Sequence, residues 1–259
     1  MFGLKLTIVP TGALTFRRVP FSTVHLATYP FLPPTTMSGY LERLARLAEG
    51  RPLPGARLEG KAALASPPTY ALPRQLHALG AYPTPSGAWT VHRTRRQGIR
   101  EFSHTAFSRM VGTRGDKENY QLYTWEYLLV ERLTGYVLCE EKEPLKRLQQ
   151  AVNFGYKIGK EGYAFLETAE GPICFERKRI RATPSTLVPA QEVIGLPGGT
   201  LFTLYRYDWD EGRLPVDDAS PIRGFVPFRG VLLDSEVQIE TEYWTDGTTF
   251  IPVSLLEAF

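Results

Sequence analysis

The sequence predicts an α+β fold, on three observations. Apolar residues alternate at a period of two in several stretches, while two segments repeat them at spacings of three and four. Proline and glycine are also abundant, at 21 and 23 of 259 residues. Proline at roughly 8%, against a usual share of about 5%, favours turns and irregular connections and argues against a helical bundle. Length and a hydrophobic fraction of 43% fit one large or two small folded domains.

The elements follow in order. Leu4, Leu6 and Ile8 fall on one face of a strand and Lys5, Thr7 and Val9 on the other, with Pro10 and Gly12 ending it. Pro33-Pro34 keeps the chain extended ahead of a helix in which Met37, Tyr40, Leu41, Leu44 and Leu47 form one stripe. Thr35 or Thr36 is expected to cap that helix, and Gly50 to follow its C-cap. Residues 51–88 hold seven prolines and no sustained period, so an irregular insertion is expected there. Trp89 to Met110 is arginine-rich and partly alternating, with Gln97-Gly98 as a turn, and reads as a projecting β-hairpin. Tyr120 to Glu131 alternates with two rather apolar faces, as a central strand would. After Thr134-Gly135, a short strand from Tyr136 to Cys139 precedes a second helix over residues 140–152. Pro144 sits in its first turn, Leu145, Leu148, Ala151 and Val152 share a face, and Asn153 and Gly155 stop it.

Strand, helix, insertion, strand, strand, helix, strand is the order of a ferredoxin-like (RRM-like) unit, the split βαβ arrangement. It is expected over residues 1–180, with the insertion at about 51–118. Residues 181–259, with TLFTLYRYDW, SEVQIETEYW and frequent glycine and proline, read as a β-rich C-terminal region.

The formal net charge of +3 conceals a polarised chain. From Val91 to Lys117 seven basic residues face two acids, a balance of +5; from Tyr205 to Asp246 four arginines face ten acids, a balance of −6. A polyanion-binding surface is expected in the first region, and in the second a surface that repels nucleic acid or meets a basic neighbour. Cys139 and Cys174 are too few for a disulfide scaffold and lack zinc-site spacing, so free thiols are expected. The N-terminal residues have no signal-peptide pattern, and no stretch reaches 18 apolar residues. A cytoplasmic protein with no membrane partner is the expectation.

No nucleophile elbow, Walker loop, metal-binding H-E-x-x-H or dinucleotide fingerprint occurs. Two clusters remain. In the first, Arg93, Arg95, Arg96 and Arg100 interleave with Trp89, His92, Phe102 and His104, joining planar cations to aromatic surfaces as single-stranded RNA recognition requires. In the second, Phe154 to Tyr163 combines Gly155, Gly159 and Gly162 with Tyr156, Lys157, Lys160 and Tyr163. Glycine permits close backbone approach, lysine neutralises phosphate, and tyrosine stacks on bases. Glu176 to Arg181 is basic at several positions, and reads either as an extension of such a track or as a solvated face.

Three segments, in order, resemble the CRISPR-associated protein 5 family of the repeat-associated RNA-binding superfamily. Thr15-Phe16-Arg17-Arg18-Val19-Pro20, followed by Tyr29 to Gly39 with Pro33-Pro34-Thr35-Thr36, is similar to that family's opening. Glu126 to Val130 running on to Tyr136-Val137-Leu138 resembles its middle hairpin, and Lys157-Ile158-Gly159-Lys160 its glycine-containing loop after the second helix. The resemblance covers about residues 4–50 and 120–167, and the basic insertion occupies the place of the family's thumb-like β-hairpin. It implies a non-catalytic subunit, without cofactor or metal, of a type I (Cascade-type) CRISPR surveillance complex. Such a subunit binds the 5′ repeat-derived handle of the crRNA, caps the backbone filament beside a backbone subunit and the large subunit, and meets target DNA only indirectly. The RNA-binding set would be Arg17, Arg18, Thr35, Thr36, His92, Arg93, Arg95, Arg96, Arg100, His104, Tyr156, Lys157 and Lys160. One branch of the family is a metal-independent endoribonuclease that processes precursor crRNA. For that alternative the candidates are Tyr40, His92, His104, Tyr156 and Lys157.

Overall fold

Leu4, Leu6 and Ile8 are fully buried on β1 (Phe2–Pro10), the inward set their alternation predicts. The computed structural model describes residues 1–19, 25–51, 70–99, 120–195, 197–209 and 222–259. A short β2 (His25–Leu26) precedes α1 (Pro34–Ala48), which buries Met37, Tyr40, Leu41 and Leu44. Then come β3 (His77–Pro83), β4 (Trp89–Ile99), β5 (Tyr120–Val130), β6 (Leu133–Cys139), α2 (Glu143–Gln149), β7 (Gly155–Lys157) and β8 (Tyr163–Cys174). The C-terminal region adds β9 (Glu176–Ala182), β10 (Val188–Pro189), β11 (Gly199–Trp209), β12 (Ile222–Leu233), β13 (Ile239–Thr245), β14 (Phe250–Pro252) and α3 (Val253–Ala258).

The main sheet is antiparallel, in the order β3-β6-β1-β8-β7. β1–α1–β3 and β6–α2–β8 each connect two strands with one strand between them, which is the split βαβ pair of a ferredoxin-like fold. Leu41 and Leu44 of α1 and Leu145 and Leu148 of α2 join Leu4, Leu6 and Ile8 in one core. Each fully buried leucine contributes roughly 1.5–3 kcal/mol. Arg147 of α2 clamps α1 through Glu42, at 2.6 Å, and through Glu49, so the two helices are held by charge as well as by apolar contact.

Five expectations need correction. The stretch 51–88 is not irregular throughout, because His77 to Pro83 forms β3 at the edge of the main sheet; the register shift between Ala78 and Ala81, with Gly80 at φ 90°, breaks the alternation that would have revealed it. Gln97-Gly98 is not a turn: β4 runs through it and pairs with β5 from Trp89↔Val130 to Ile99↔Tyr120. β5 is not in the main sheet but in the middle of a separate one, β2-β5-β4, so its two apolar faces serve the base of a ribbon. At α1 the N-cap is Pro33, with Pro34 in the first turn and no side-chain cap, so Thr35 and Thr36 lie inside the helix. β6 also begins before Thr134-Gly135, at Leu133. Gly50, at φ 66°, does follow the α1 C-cap, Glu49.

The C-terminal region packs into the same core, through Leu187, Phe202, Leu204, Ile251 and Leu255. Three tyrosine hydroxyls bind it to the first part: Tyr29 donates to the Thr203 carbonyl, Tyr207 to that of Thr35 at 2.7 Å, and Tyr82 accepts the Leu187 N–H at 3.1 Å. β9 pairs with β13, where Arg177 and Arg179 meet Glu242 and Glu240, while Lys178 meets Glu176. Part of the acidic C-terminal segment therefore pairs with Arg177 and Arg179 of the chain's own basic strand. Cys139 and Cys174 are both free; they flank Phe2 on opposite neighbours of β1, two strand spacings or roughly 9–10 Å apart, too far for a disulfide. Among the described residues, no helix is long and apolar enough to cross a membrane.

Candidate nucleic-acid interface

The loop after β7 is stitched to the chain just beyond β1. Thr15 donates its N–H to the Glu161 carbonyl and accepts from the Lys160 N–H, both at 2.9 Å, and Ile158 bonds back to Gly162 at 3.0 Å. Gly159 makes the close approach possible. It has φ 67°, and a Cβ there would stand 2.7 Å from both the Phe16 ring and the Thr15 carbonyl. Lys157 and Lys160, both exposed, are thereby brought beside Arg17 at the first turn of α1.

The result is a cleft of about 390 Å³ whose lining includes Arg17, Thr35, Thr36, Arg43, Lys157 and Lys160. The Thr35 and Thr36 N–H groups fall in the first turn, where no intrahelical carbonyl is available, and the helix dipole adds positive potential. The Arg17 Nε is buried and meets no acceptor among the described residues. Gly39 sets the width of the cleft on the helix side, because a Cβ there would lie 2.9 Å from the Tyr70 carbonyl. Tyr40, one position on, is buried, and its hydroxyl donates to the Ala164 carbonyl at 2.8 Å; burial holds its pKa well above the ordinary phenol value.

Five of the expected residues thus converge: Arg17, Thr35, Thr36, Lys157 and Lys160. Tyr156 stands beside them, its ring 5.7 Å from the Arg43 guanidinium. Arg18 points elsewhere, its guanidinium 4.9 Å from the Phe202 ring. Four contributors had not been expected: Arg43, Tyr70, Tyr207 and Phe225. Arg43 could have been read from α1, since Thr36, Gly39 and Arg43 are spaced along one helix edge. Its guanidinium lies 4.4 Å from the Tyr70 ring. Tyr207 and Phe225 are cross-strand partners on β11 and β12, with ring centroids 5.7 Å apart, and no local pattern ties them to α1. Burial pushes the Tyr207 hydroxyl up to about 12, so it remains a donor to Thr35 at neutral pH.

The expected arginine cluster lies on a different sheet. Pairing across β4 and β5 sets His92 opposite Tyr127 and Arg93 opposite Glu126, so these two neighbours face opposite sides of the ribbon. Arg93 is bound to buried Glu126 by Nη2 at 2.6 Å and Nε at 3.0 Å, and the other Glu126 oxygen accepts the Thr28 N–H at 3.1 Å. Arg95 is exposed on the Arg93 side. The Arg96 backbone is paired opposite Tyr123, but its side chain lies outside the described set, and Arg100 and His104 lie outside the described residues. Across the ribbon, on the His92 side, the Trp125 and Tyr127 rings are 6.1 Å apart. Among the described residues, no cluster of three or more histidine, cysteine, aspartate or glutamate side chains is arranged to hold a metal.

No known family model and no curated protein matches the chain. Among solved structures, a CRISPR protein from Archaeoglobus fulgidus aligns over 96% of this chain and 97% of its own, with 15% identity and a TM-score of 0.44. A chain of the Type III-B Cmr-beta complex bound to cognate target RNA and AMPPnP aligns over 91% of this chain and 86% of its own, with 10% identity and a TM-score of 0.46. The same complex bound to cognate target RNA aligns over the same shares at 12% identity and a TM-score of 0.45.

Proposed function

We propose that this chain is a non-catalytic subunit of a type I CRISPR effector complex and that the α1 cleft holds the 5′ repeat-derived handle of the guide RNA. One observation carries the reading. The opening and the glycine loop, the two segments resembling the CRISPR-associated protein 5 family that lie about 140 residues apart, are joined by backbone hydrogen bonds and line one cationic cleft. Arginine, lysine and first-turn amides are the donors that position a phosphate backbone. By the same resemblance, the neighbours are the backbone subunit, the large subunit and, through the guide, target DNA. Among the described candidates a gripping role is favoured over RNA cleavage, because Tyr40 is buried and bonded to the Ala164 carbonyl while His92 stands on the ribbon.

The test is binding of repeat-derived single-stranded RNA by the full chain, in the presence of a chelator. Replacing Lys157 and Lys160 with alanine should weaken binding about a hundredfold and lower the salt slope by about 1.4, at about 0.7 per phosphate contact on single strands. Unchanged affinity and slope, or metal-independent cleavage of the RNA by the wild-type chain, overturn the proposal.

A further inference from the structure

Beside the cationic cleft lies a second cavity of about 560 Å³, within the size range of small-ligand sites, roughly 300–1,000 Å³. Arg17, Thr35, Thr36 and Phe225 line both, so the two spaces share a border. Their characters differ. The second cavity is walled by Tyr29, Pro33, Leu204, Tyr205 and Phe225, and its only charged lining residue among those described is Arg17. Tyr29 and Leu204 are buried, and the Tyr29 hydroxyl is engaged by the Thr203 carbonyl, which leaves the wall apolar. Phe225, by contrast, is 54% exposed.

We infer that this aromatic cavity takes one unpaired nucleotide of the bound RNA, its base against Phe225 and Tyr205 and its phosphate on Arg17. The inference rests on the RNA-binding reading of the neighbouring cleft and assigns a separate role to the β11–β12 wall. Three features select a nucleotide over a purely apolar ligand. The cavity opens onto a row of cations, which favours an occupant carrying negative charge at one end. Arg17, whose Nε is buried without an acceptor among the described residues, lies on the shared border and supplies the cation for a phosphate. At the other end, an exposed aromatic ring is the surface on which splayed-out bases of single-stranded RNA stack. Thr35 and Thr36 are the hydroxyl-bearing side chains on the border, and threonine pairs with any base edge, so the site should accept any base rather than read one.

The experiment uses the full chain and repeat-derived single strands, each carrying 2-aminopurine at one successive position. In the wild-type complex one position should show quenched fluorescence from stacking. Phe225→Ala should abolish that quenching and weaken binding about tenfold, while Phe225→Trp retains both. Because Phe225 is largely exposed, the alanine variant should fold, which circular dichroism checks. If the RNA binds but its fluorescence pattern is the same in Phe225→Ala, the nucleotide site is overturned and the handle-binding reading stands. If the wild-type chain binds no RNA, both fall. Saturable binding of free AMP that is lost in Phe225→Ala, with RNA binding unaffected, overturns the assignment to an RNA strand in favour of a free nucleotide.

Discussion

The α1 cleft and the β4–β5 ribbon carry similar numbers of basic residues, yet they are built in opposite ways. In the cleft the cations come from segments distant in sequence, and backbone hydrogen bonds from Thr15 to Glu161 and Lys160 hold them beside one helix end. Lys157 and Lys160 are exposed and turned to a shared space. In the ribbon the basic residues are neighbours in sequence, but the two-residue repeat of a strand sets His92 and Arg93 on opposite faces, and Arg93 is bound to Glu126. Clustering along a chain and clustering in space are thus different properties. A strand disperses what a loop packed against a helix can gather.

Direct comparison of the two regions should give the largest effect. The Lys157→Ala/Lys160→Ala double variant should lose the full slope of about 1.4 in salt dependence of RNA binding. Replacing Arg93, Arg95, Arg96 and Arg100 together should lose less than the roughly 2.8 that four phosphate contacts imply, because Arg93 is committed to Glu126. A loss of the full value from the ribbon would break the contrast.

Next in size, Glu126→Ala should destabilise the protein by about 2–3 kcal/mol in chemical unfolding, since it strands the buried Thr28 N–H and frees Arg93. RNA binding through the cleft should be little changed in the folded fraction. A wild-type midpoint would show that the ribbon is not anchored there. Gly159→Ala should cost about 1–2 kcal/mol for its left-handed conformation alone, and the clash with Phe16 and Thr15 should also displace the cleft lysines. Unlike Glu126→Ala, it should weaken RNA binding, which a titration on the folded protein checks.

The smallest expected effect concerns the far end of α1. Hydrogen bonding and charge from Arg147 hold the Glu49 carboxyl below its ordinary value. A depressed carboxylate contributes stability that is present above its unfolded pKa, about 4.3, and is lost as pH falls through the lower folded value. Arg147→Met should therefore flatten the acid side of the stability profile, measured by thermal unfolding from pH 7 to pH 3. A profile parallel to the wild type would show that the helix clamp is not electrostatic.

Much of the fold was legible because its signals are local. The Leu4-Leu6-Ile8 alternation and the Met37-to-Leu44 stripe depend only on neighbours, and both are buried as read. β3 was not legible, since Gly80 interrupts its period where Leu32 bonds to Ala81 from outside the strand. The threonines were misread as caps because the side chains that cap helices are also found in first turns, and Pro33-Pro34 already set the start. For the cleft, Lys157 and Lys160 were read from the glycine and lysine pattern of residues 154–163, and Arg17 from the resemblance of the opening segment. Tyr207 and Phe225 were not, since their place opposite α1 is a consequence of β11 pairing with β12 and packing on the first core.

By itself the sequence determined the α+β class, the periods of β1, α1 and α2 and the uneven distribution of charge, all of which are properties of residues near one another along the chain. Only the tertiary structure decided that Arg17 meets Lys157 and Lys160, that Arg93 is held by Glu126, that β13 answers the charges of β9, and that an aromatic wall from the C-terminal region stands beside the cations. The physical reason is that helix and strand periods are set by backbone geometry within a few residues. Which distant surfaces share a cleft depends on how the sheets and helices bury their apolar faces against one another.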